Sequence, residues 1–230
     1  MKTCWIVGAV DFSQKRLTPQ KGDIVIAADN GLTYLLNKKQ EPDYIIGDYD
    51  SLKEDEFGYL QDFTRRYPGR VRTLPREKDD TDMMAAVRWG MELGFSYFNL
   101  LGALGGDRID HTISNLQTLL FIHRQGFDGA ILGEHQCIFL VADEAVCFPP
   151  GDSGMFSLFA ADPSILASIE GMKFSGSHLA ITYDFPIGCS NEFVQGQEAR
   201  VEVREGMAFA VMDADRLAGM KREKIPQERS

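Results

Sequence analysis

The residues of this chain best suited to chemistry are aspartates, and they recur where apolar runs end. Asp29 follows Ile24-Val25-Ile26-Ala27-Ala28, and Asp48 and Asp50 follow Tyr44-Ile45-Ile46-Gly47. Asp79, Asp80 and Asp82 come soon after the run at 71–74, and Asp107 and Asp110 follow Leu100-Leu101 and a glycine-rich turn. Singly, each has an ordinary explanation: Asp79 or Asp80 caps a helix, Asp82 favours its dipole, and Asp29-Asn30-Gly31 makes a turn. Convergence changes that. Two carboxylates about 5 Å apart repel by roughly 3 kcal/mol at an effective dielectric near 20. Such a cluster needs protons or a cation to neutralise it, and hard oxygen ligands with room for water suit Mg2+.

The glycine-rich turn Leu101-Gly102-Ala103-Leu104-Gly105-Gly106-Asp107-Arg108 lets the backbone approach a ligand closely. The helix that opens near His111 then offers unpaired N–H groups to a phosphate, and Arg108 adds charge-assisted hydrogen bonds. Beside the acids, the turn points to a polyphosphate held through a metal. No GxxxxGK[ST] occurs, which excludes a P-loop, and Gly8-Ala9-Val10 lacks the GxGxxG of a standard dinucleotide fold. Asp48-Tyr49-Asp50-Ser51 is close to the DxDx[TS] of aspartate-nucleophile phosphatases, but Leu52 stands where that motif needs its hydroxyl. A DxD-type nucleotide-sugar transferase and a non-catalytic nucleotide-binding regulatory module stay open on these residues alone.

Loops can present acids at one edge only if strands carry them there. The runs at 4–7, 23–28, 44–46, 71–74, 97–101 and 130–132 are near-continuously apolar, as in strands covered on both faces. Helical spacing appears at 81–93, through Met84, Val87, Trp89 and Met91, and at 111–124, through Ile113, Leu116, Leu119, Leu120 and Phe121. This alternation predicts an α/β domain with a mostly parallel sheet over 1–134, and ligands bind such sheets outside the carboxyl ends of the strands. From 135 the chain reads as short strands at 138–141, 145–148, 155–159, 179–183, 199–203 and 208–212, broken by Pro149-Pro150-Gly151, Asp162-Pro163 and Phe185-Pro186. A small all-β, sandwich-like domain over 135–220 follows, with 221–230 a polar tail that frays.

Charge and composition narrow the functional class. The 230 residues include 24 Lys and Arg against 34 Asp and Glu, a formal charge of −10. That balance argues against a nucleic-acid partner, which demands basic surface. With 44% hydrophobic and 25% charged residues the chain is of ordinary globular type. No signal-peptide pattern and no run long enough for a membrane helix are found, so a cytoplasmic location is expected. Cys4, Cys137, Cys147 and Cys189 form no CxxC pair and read as buried thiols, with a hairpin disulfide between Cys137 and Cys147 left open. His123, His135 and His178 are scattered, Trp5 and Trp89 suit the core, and Glu54-Asp55-Glu56 reads as a solvated helix start.

Taken in order, the motifs resemble the thiamine pyrophosphokinase family. The matching stretches are Ala28-Asp29-Asn30-Gly31, Gly47-Asp48-Tyr49-Asp50-Ser51, Lys78-Asp79-Asp80-Thr81-Asp82, Gly105-Gly106-Asp107-Arg108-Ile109-Asp110-His111 and Gly188-Cys189-Ser190-Asn191-Glu192. The resemblance implies an ATP-binding catalytic domain over 1–134, a β domain contributing to thiamine binding over 135–220, and a homodimer. It implies transfer of the pyrophosphoryl group of ATP to the thiamine hydroxyl, giving thiamine diphosphate and AMP. Carried across by position, Asp48, Asp50 and Asp82 hold Mg2+, and Asp50 or Asp82 accepts the hydroxyl proton. Asp29, Asp79, Thr81, Gly105, Gly106, Arg108, Asp110 and His111 fall on the ATP side, and Ser190 and Asn191 lie beside thiamine.

Overall fold

A computed structural model describes residues 2–50, 52–77 and 79–225. Ser51 and Lys78 of the quoted motifs, and 226–230 of the expected tail, lie outside the described residues. The chain divides into two compact units, Met1–Glu134 and His135–Ser230. Among the described residues no helix is long and apolar enough to cross a membrane.

The first unit is built on six strands: β1 (Thr3–Val7), β2 (Ile24–Ala28), β3 (Tyr44–Gly47), β4 (Val71–Thr73), β5 (Tyr97–Leu101) and β6 (Asp128–Leu132). Every pairing among them is parallel, in the order β6-β5-β1-β2-β3-β4. Ile6, Val7, Ile26, Ala27, Ile45, Leu100 and Ile131 are fully buried, as expected of strands covered on both faces. Four helices connect them: α1 (Gly31–Asn37), α2 (Glu54–Arg66), α3 (Asp82–Glu92) and α4 (Ile109–Arg124). From β1 the chain winds outward through β2, β3 and β4, then returns to place β5 on the other side of β1. The gap between the carboxyl ends of β1 and β5 is therefore a topological switch point, where open parallel sheets bind ligands.

Two glycines let the chain close around that point. A Cβ on Gly31 would lie 1.9 Å from the Val7 carbonyl oxygen, so only glycine lets α1 start against the end of β1. Gly102 has φ +60, and a Cβ there would lie 2.4 Å from the Val10 carbonyl oxygen. Helix α4 departs from the expected apolar face: Ile113 is exposed, and the buried set is Asn115, Thr118, Leu119 and Ile122. Glu56 is buried rather than solvated, because its carboxylate accepts the Lys53 N–H (2.8 Å) at the start of α2.

In the second unit the strands are β7 (Gln136–Phe148), β8 (Gly154–Ala160), β9 (Ser164–Glu170), β10 (Gly176–Thr182), β11 (Asn191–Phe193), β12 (Ala199–Asp213) and β13 (Lys221–Lys224). All their pairings are antiparallel, so over the whole chain the sheet is mixed rather than mostly parallel. The unit is one connected network and not two separate sheets. Along one edge β12 pairs with β7; along the other, Arg200–Arg204 pairs with β9 and Ala208–Met212 with β8, across a bulge between Val203 and Met207. The expected frayed tail is corrected at 221–224: Lys221–Lys224 pairs with β7, and Arg222 forms an ion pair with Glu144. All four cysteines are free thiols, but only Cys4 and Cys137 are buried, while Cys189 is exposed. Cys137 and Cys147 sit on the single strand β7, roughly 30 Å apart along it, so no hairpin disulfide forms.

Candidate active site

Asp29 ends β2 in the left-handed backbone region, at φ +49. Its N–H donates to the Ile46 carbonyl (2.8 Å), which extends the β2–β3 pairing by a residue and brings Asp29 beside the end of β3. Past that end, Tyr49 also adopts a positive φ (+63), turning the chain between Asp48 and Asp50. The Asp50 N–H donates to Asp48 Oδ1 (3.2 Å), and the Tyr49 hydroxyl donates to the Arg72 carbonyl (2.8 Å), tying the turn to β4. Adjacent parallel strands thus deliver three acids from two loops to one place.

Carboxylate oxygens of Asp29, Asp48 and Asp50 all lie within 4.8 Å of one another. Asp29 Oδ1 is buried and has no hydrogen-bond partner among the described residues. Burial first, and then the charges of Asp82, Asp48 and Asp50, push the Asp29 carboxyl above the ordinary carboxylate range, although the Asn30 N–H acts the other way. A buried, unsatisfied oxygen among mutually repelling oxygens is a donor set suited to a hard divalent cation, and Mg2+ fits it.

The tight group contains Asp29 where the sequence comparison placed Asp82. Asp82 is the first residue of α3 and lines a neighbouring cleft together with Asp29, Thr81, His111, Ser114 and Asn115. That cleft has a volume of about 50 Å³, and Gly8, Val10, Gly102 and Ala103 place it at the β1–β5 switch point. Thr81 is the N-cap of α3, its Oγ1 accepting the Met84 N–H (3.2 Å). Gly105 and Gly106 are exposed with φ +79 and +75, and the Gly105 N–H donates to Thr112 Oγ1 (3.2 Å). Arg108 forks onto Asp110 through Nε–Oδ1 (2.9 Å) and Nη2–Oδ2 (2.5 Å), holding the Asp110 carboxyl down at about 2. Asp79 is exposed ahead of α3.

In the second unit, Ser190 is exposed at φ +63, and its N–H donates to Ser157 Oγ (3.0 Å). Asn191 is buried, and its side chain makes three hydrogen bonds. Its Oδ1 accepts the N–H groups of Phe174 (3.0 Å) and Glu192 (2.9 Å), while Nδ2 donates to the Phe174 carbonyl (2.8 Å). Asn191 also borders a mainly apolar cavity of about 320 Å³ lined by Phe174, Leu179, Ile181, Ile187 and Cys189.

Sequence reasoning missed two residues of the first unit. Arg76 places Nη2 2.5 Å and Nε 3.2 Å from Asp50 Oδ2, and no spacing rule marks it. Asn115 is buried and donates Nδ2 to the Ala103 carbonyl (2.8 Å), fixing the glycine-rich turn. Its helical register with Leu119 and Ile122 was the available signal.

Residues 16–128 match the family model described as thiamin pyrophosphokinase, catalytic domain. The chain is 25% identical over 182 residues to a thiamine pyrophosphokinase of Bacillus subtilis, an overlap of 75% of this chain and 79% of that protein. In fold it is similar to the crystal structure of thiamine pyrophosphokinase from Bacillus subtilis, with a TM-score of 0.79 at 20% identity over 92% of this chain and 98% of the other. It is similar also to thiamin pyrophosphokinase from Candida albicans, with a TM-score of 0.75 at 14% identity over 92% of this chain and 89% of the other.

Proposed function

We infer that this chain, which through residues 16–128 belongs to the thiamin pyrophosphokinase family, transfers the pyrophosphoryl group of ATP to the hydroxyl of thiamine, releasing AMP. The observation that carries the detailed reading is the meeting of Asp29, Asp48 and Asp50 within 4.8 Å, with one buried oxygen left unsatisfied. These three residues would hold Mg2+, which when bound neutralises charge growing on the phosphate oxygens. Transfer of this kind asks the protein mainly for positioning and electrostatics. The Gly105-Gly106 turn and the first N–H groups of α4 face the polyphosphate, with His111 and Ser114 on the cleft wall.

Asp50 is committed to the tight group that would hold the cation, so Asp82, lining the cleft outside that group, is the acceptor of the thiamine hydroxyl proton. Thiamine is a cation, and the acidic edge of the first unit attracts it. In the second unit Ser190 offers an exposed hydroxyl to thiamine, whereas Asn191 shapes that segment from beneath. The working form in this reading is a homodimer. The exposed Tyr183, Phe185 and Ile187 support it, since apolar side chains of this size gain by being covered.

Incubating the protein with ATP, MgCl2 and thiamine tests the reaction. AMP and thiamine diphosphate appearing in equal amounts is the expected result. ATP binding with no turnover would make the chain a regulatory nucleotide-binding module, and turnover only with a nucleotide sugar would make it a transferase of another class.

A further inference from the structure

Arg76 stands in the segment between β4 and α3, and both of its contacting nitrogens reach one oxygen, Asp50 Oδ2. Its side chain is 74% exposed, so water rather than packing surrounds the rest of it. Asp50 belongs to the group of three carboxylates, and Asp48 of the same group also acts electrostatically on Arg76. The guanidinium is thus a positive charge that tempers a self-repelling cluster. A divalent cation drawn to the same carboxylate competes with it, because either one neutralises charge that the other would use. Exposed ion pairs are weak enough to exchange, and a guanidinium fork matches phosphate as well as it matches carboxylate.

Resting on the function proposed above, we propose that Arg76 is a positioning residue with two stations: counter-ion of Asp50 while the cluster lacks a cation, and phosphate contact once Mg-ATP is in place. Movement between them makes cation binding and polyphosphate capture one linked event. Departure of the guanidinium exposes Asp50 to the metal, and arrival of the phosphates gives the displaced charge a new partner. The device lies wholly in the first unit.

Two calorimetric titrations of wild type and Arg76→Gln test this. The first uses MgCl2 alone; the second uses the α,β-methylene analogue of ATP, which cannot release AMP, in saturating Mg2+. The expected changes have opposite signs. Mg2+ alone binds the variant about fivefold tighter, the upper range for loss of an exposed competing ion pair. The analogue binds it about tenfold more weakly, as for loss of a charge-assisted hydrogen bond. A merely structural arginine would move both affinities the same way, or neither, and either result overturns the proposal. Arg66→Gln, which removes a positive charge paired to Asp62 instead, should leave Mg2+ affinity nearly unchanged; an equal gain there overturns it too. In an Asp50→Asn background the effect of Arg76→Gln on Mg2+ affinity should vanish, and its persistence would count against the exchange. Wild-type protein that makes no AMP with thiamine would sink the functional reading, yet the Mg2+ titration would still report on the Arg76–Asp50 competition.

Discussion

Two polar segments carry motifs of similar appearance and are built on opposite principles. At the ends of β2 and β3, Asp29, Asp48 and Asp50 crowd together, two residues of the loops hold left-handed backbone, and a buried oxygen lacks a partner. In the segment Ser190-Asn191, the amide of Asn191 has its hydrogen bonds made within the fold, and Ser190 is anchored through its N–H. The first region crowds negative charge around a buried oxygen that lacks a partner, as a cation site does. In the second, the hydrogen bonds of Asn191 and of the Ser190 N–H hold the loop, while Ser190 itself stays exposed. Motif matching cannot tell these apart, because it sees residue types and not whether their hydrogen bonds are already made.

The contrast breaks most sharply at the acids. Asp50→Asn should lower thiamine diphosphate formation on the order of a thousandfold while leaving the circular dichroism spectrum unchanged, since the residue lies in the loop after β3 and its ion pair with Arg76 is exposed. An active variant would move the catalytic centre elsewhere. Asn191→Ala should act on the fold instead. Losing three hydrogen bonds to a buried amide costs about 2–3 kcal/mol, a fall in Tm of about 5–10 °C in a thermal melt. Loss of thiamine affinity with no change in Tm would make Asn191 a direct ligand.

Asp29→Asn should do the reverse and stabilise the metal-free protein. A carboxyl raised in the folded state favours folding while protonated, and that advantage is lost as pH rises from the unfolded value of about 3.9 through the raised folded value. At pH 7.5 without Mg2+ the variant should therefore melt about 2–4 °C higher than wild type, with the gap closing below about pH 4. Mg2+ should raise the Tm of wild type and not that of Asp29→Asn. The smallest effect is expected at Arg108, whose fork onto Asp110 is fully exposed. Arg108→Gln should leave the Tm unchanged and raise the KM for ATP about fivefold. A clear drop in Tm would show that the Arg108–Asp110 pair is structural.

The first unit was legible because buried parallel strands write themselves as unbroken apolar runs: the runs at 4–7, 44–46 and 97–101 are β1, β3 and β5 to within a residue or so. What could not be read was strand order. Asp29 joins Asp48 and Asp50 because β2 and β3 are neighbours, and a single sequence does not state adjacency. The second unit was less legible for a different reason. The runs at 138–141 and 145–148 are one strand, and so are those at 199–203 and 208–212. The polar breaks between them form a bulge in which Asp143 and Glu205 take positive φ and Asp143 Oδ1 accepts the Glu205 N–H (2.9 Å). Such a break looks like a turn unless the partner strand is known. β9 went unread although Ile165, Ala167 and Ile169 alternate inward, because the run is short and rich in Ser and Ala.

The pairing of β7 with β12 has a temporal side. Phe148 meets Ala199 and Gln136 meets Asp213, so β7 emerges from the ribosome long before its principal mate has been made. At about 5–20 residues per second, that interval is on the order of ten seconds. Throughout it Leu140 and Val146 lack their β12 partners in a nascent chain whose leading portion already has all its strands. Newly synthesised molecules are therefore most exposed to aggregation and to chaperones at this stage, and a chain stopped between β7 and Ala199 would make that interval permanent.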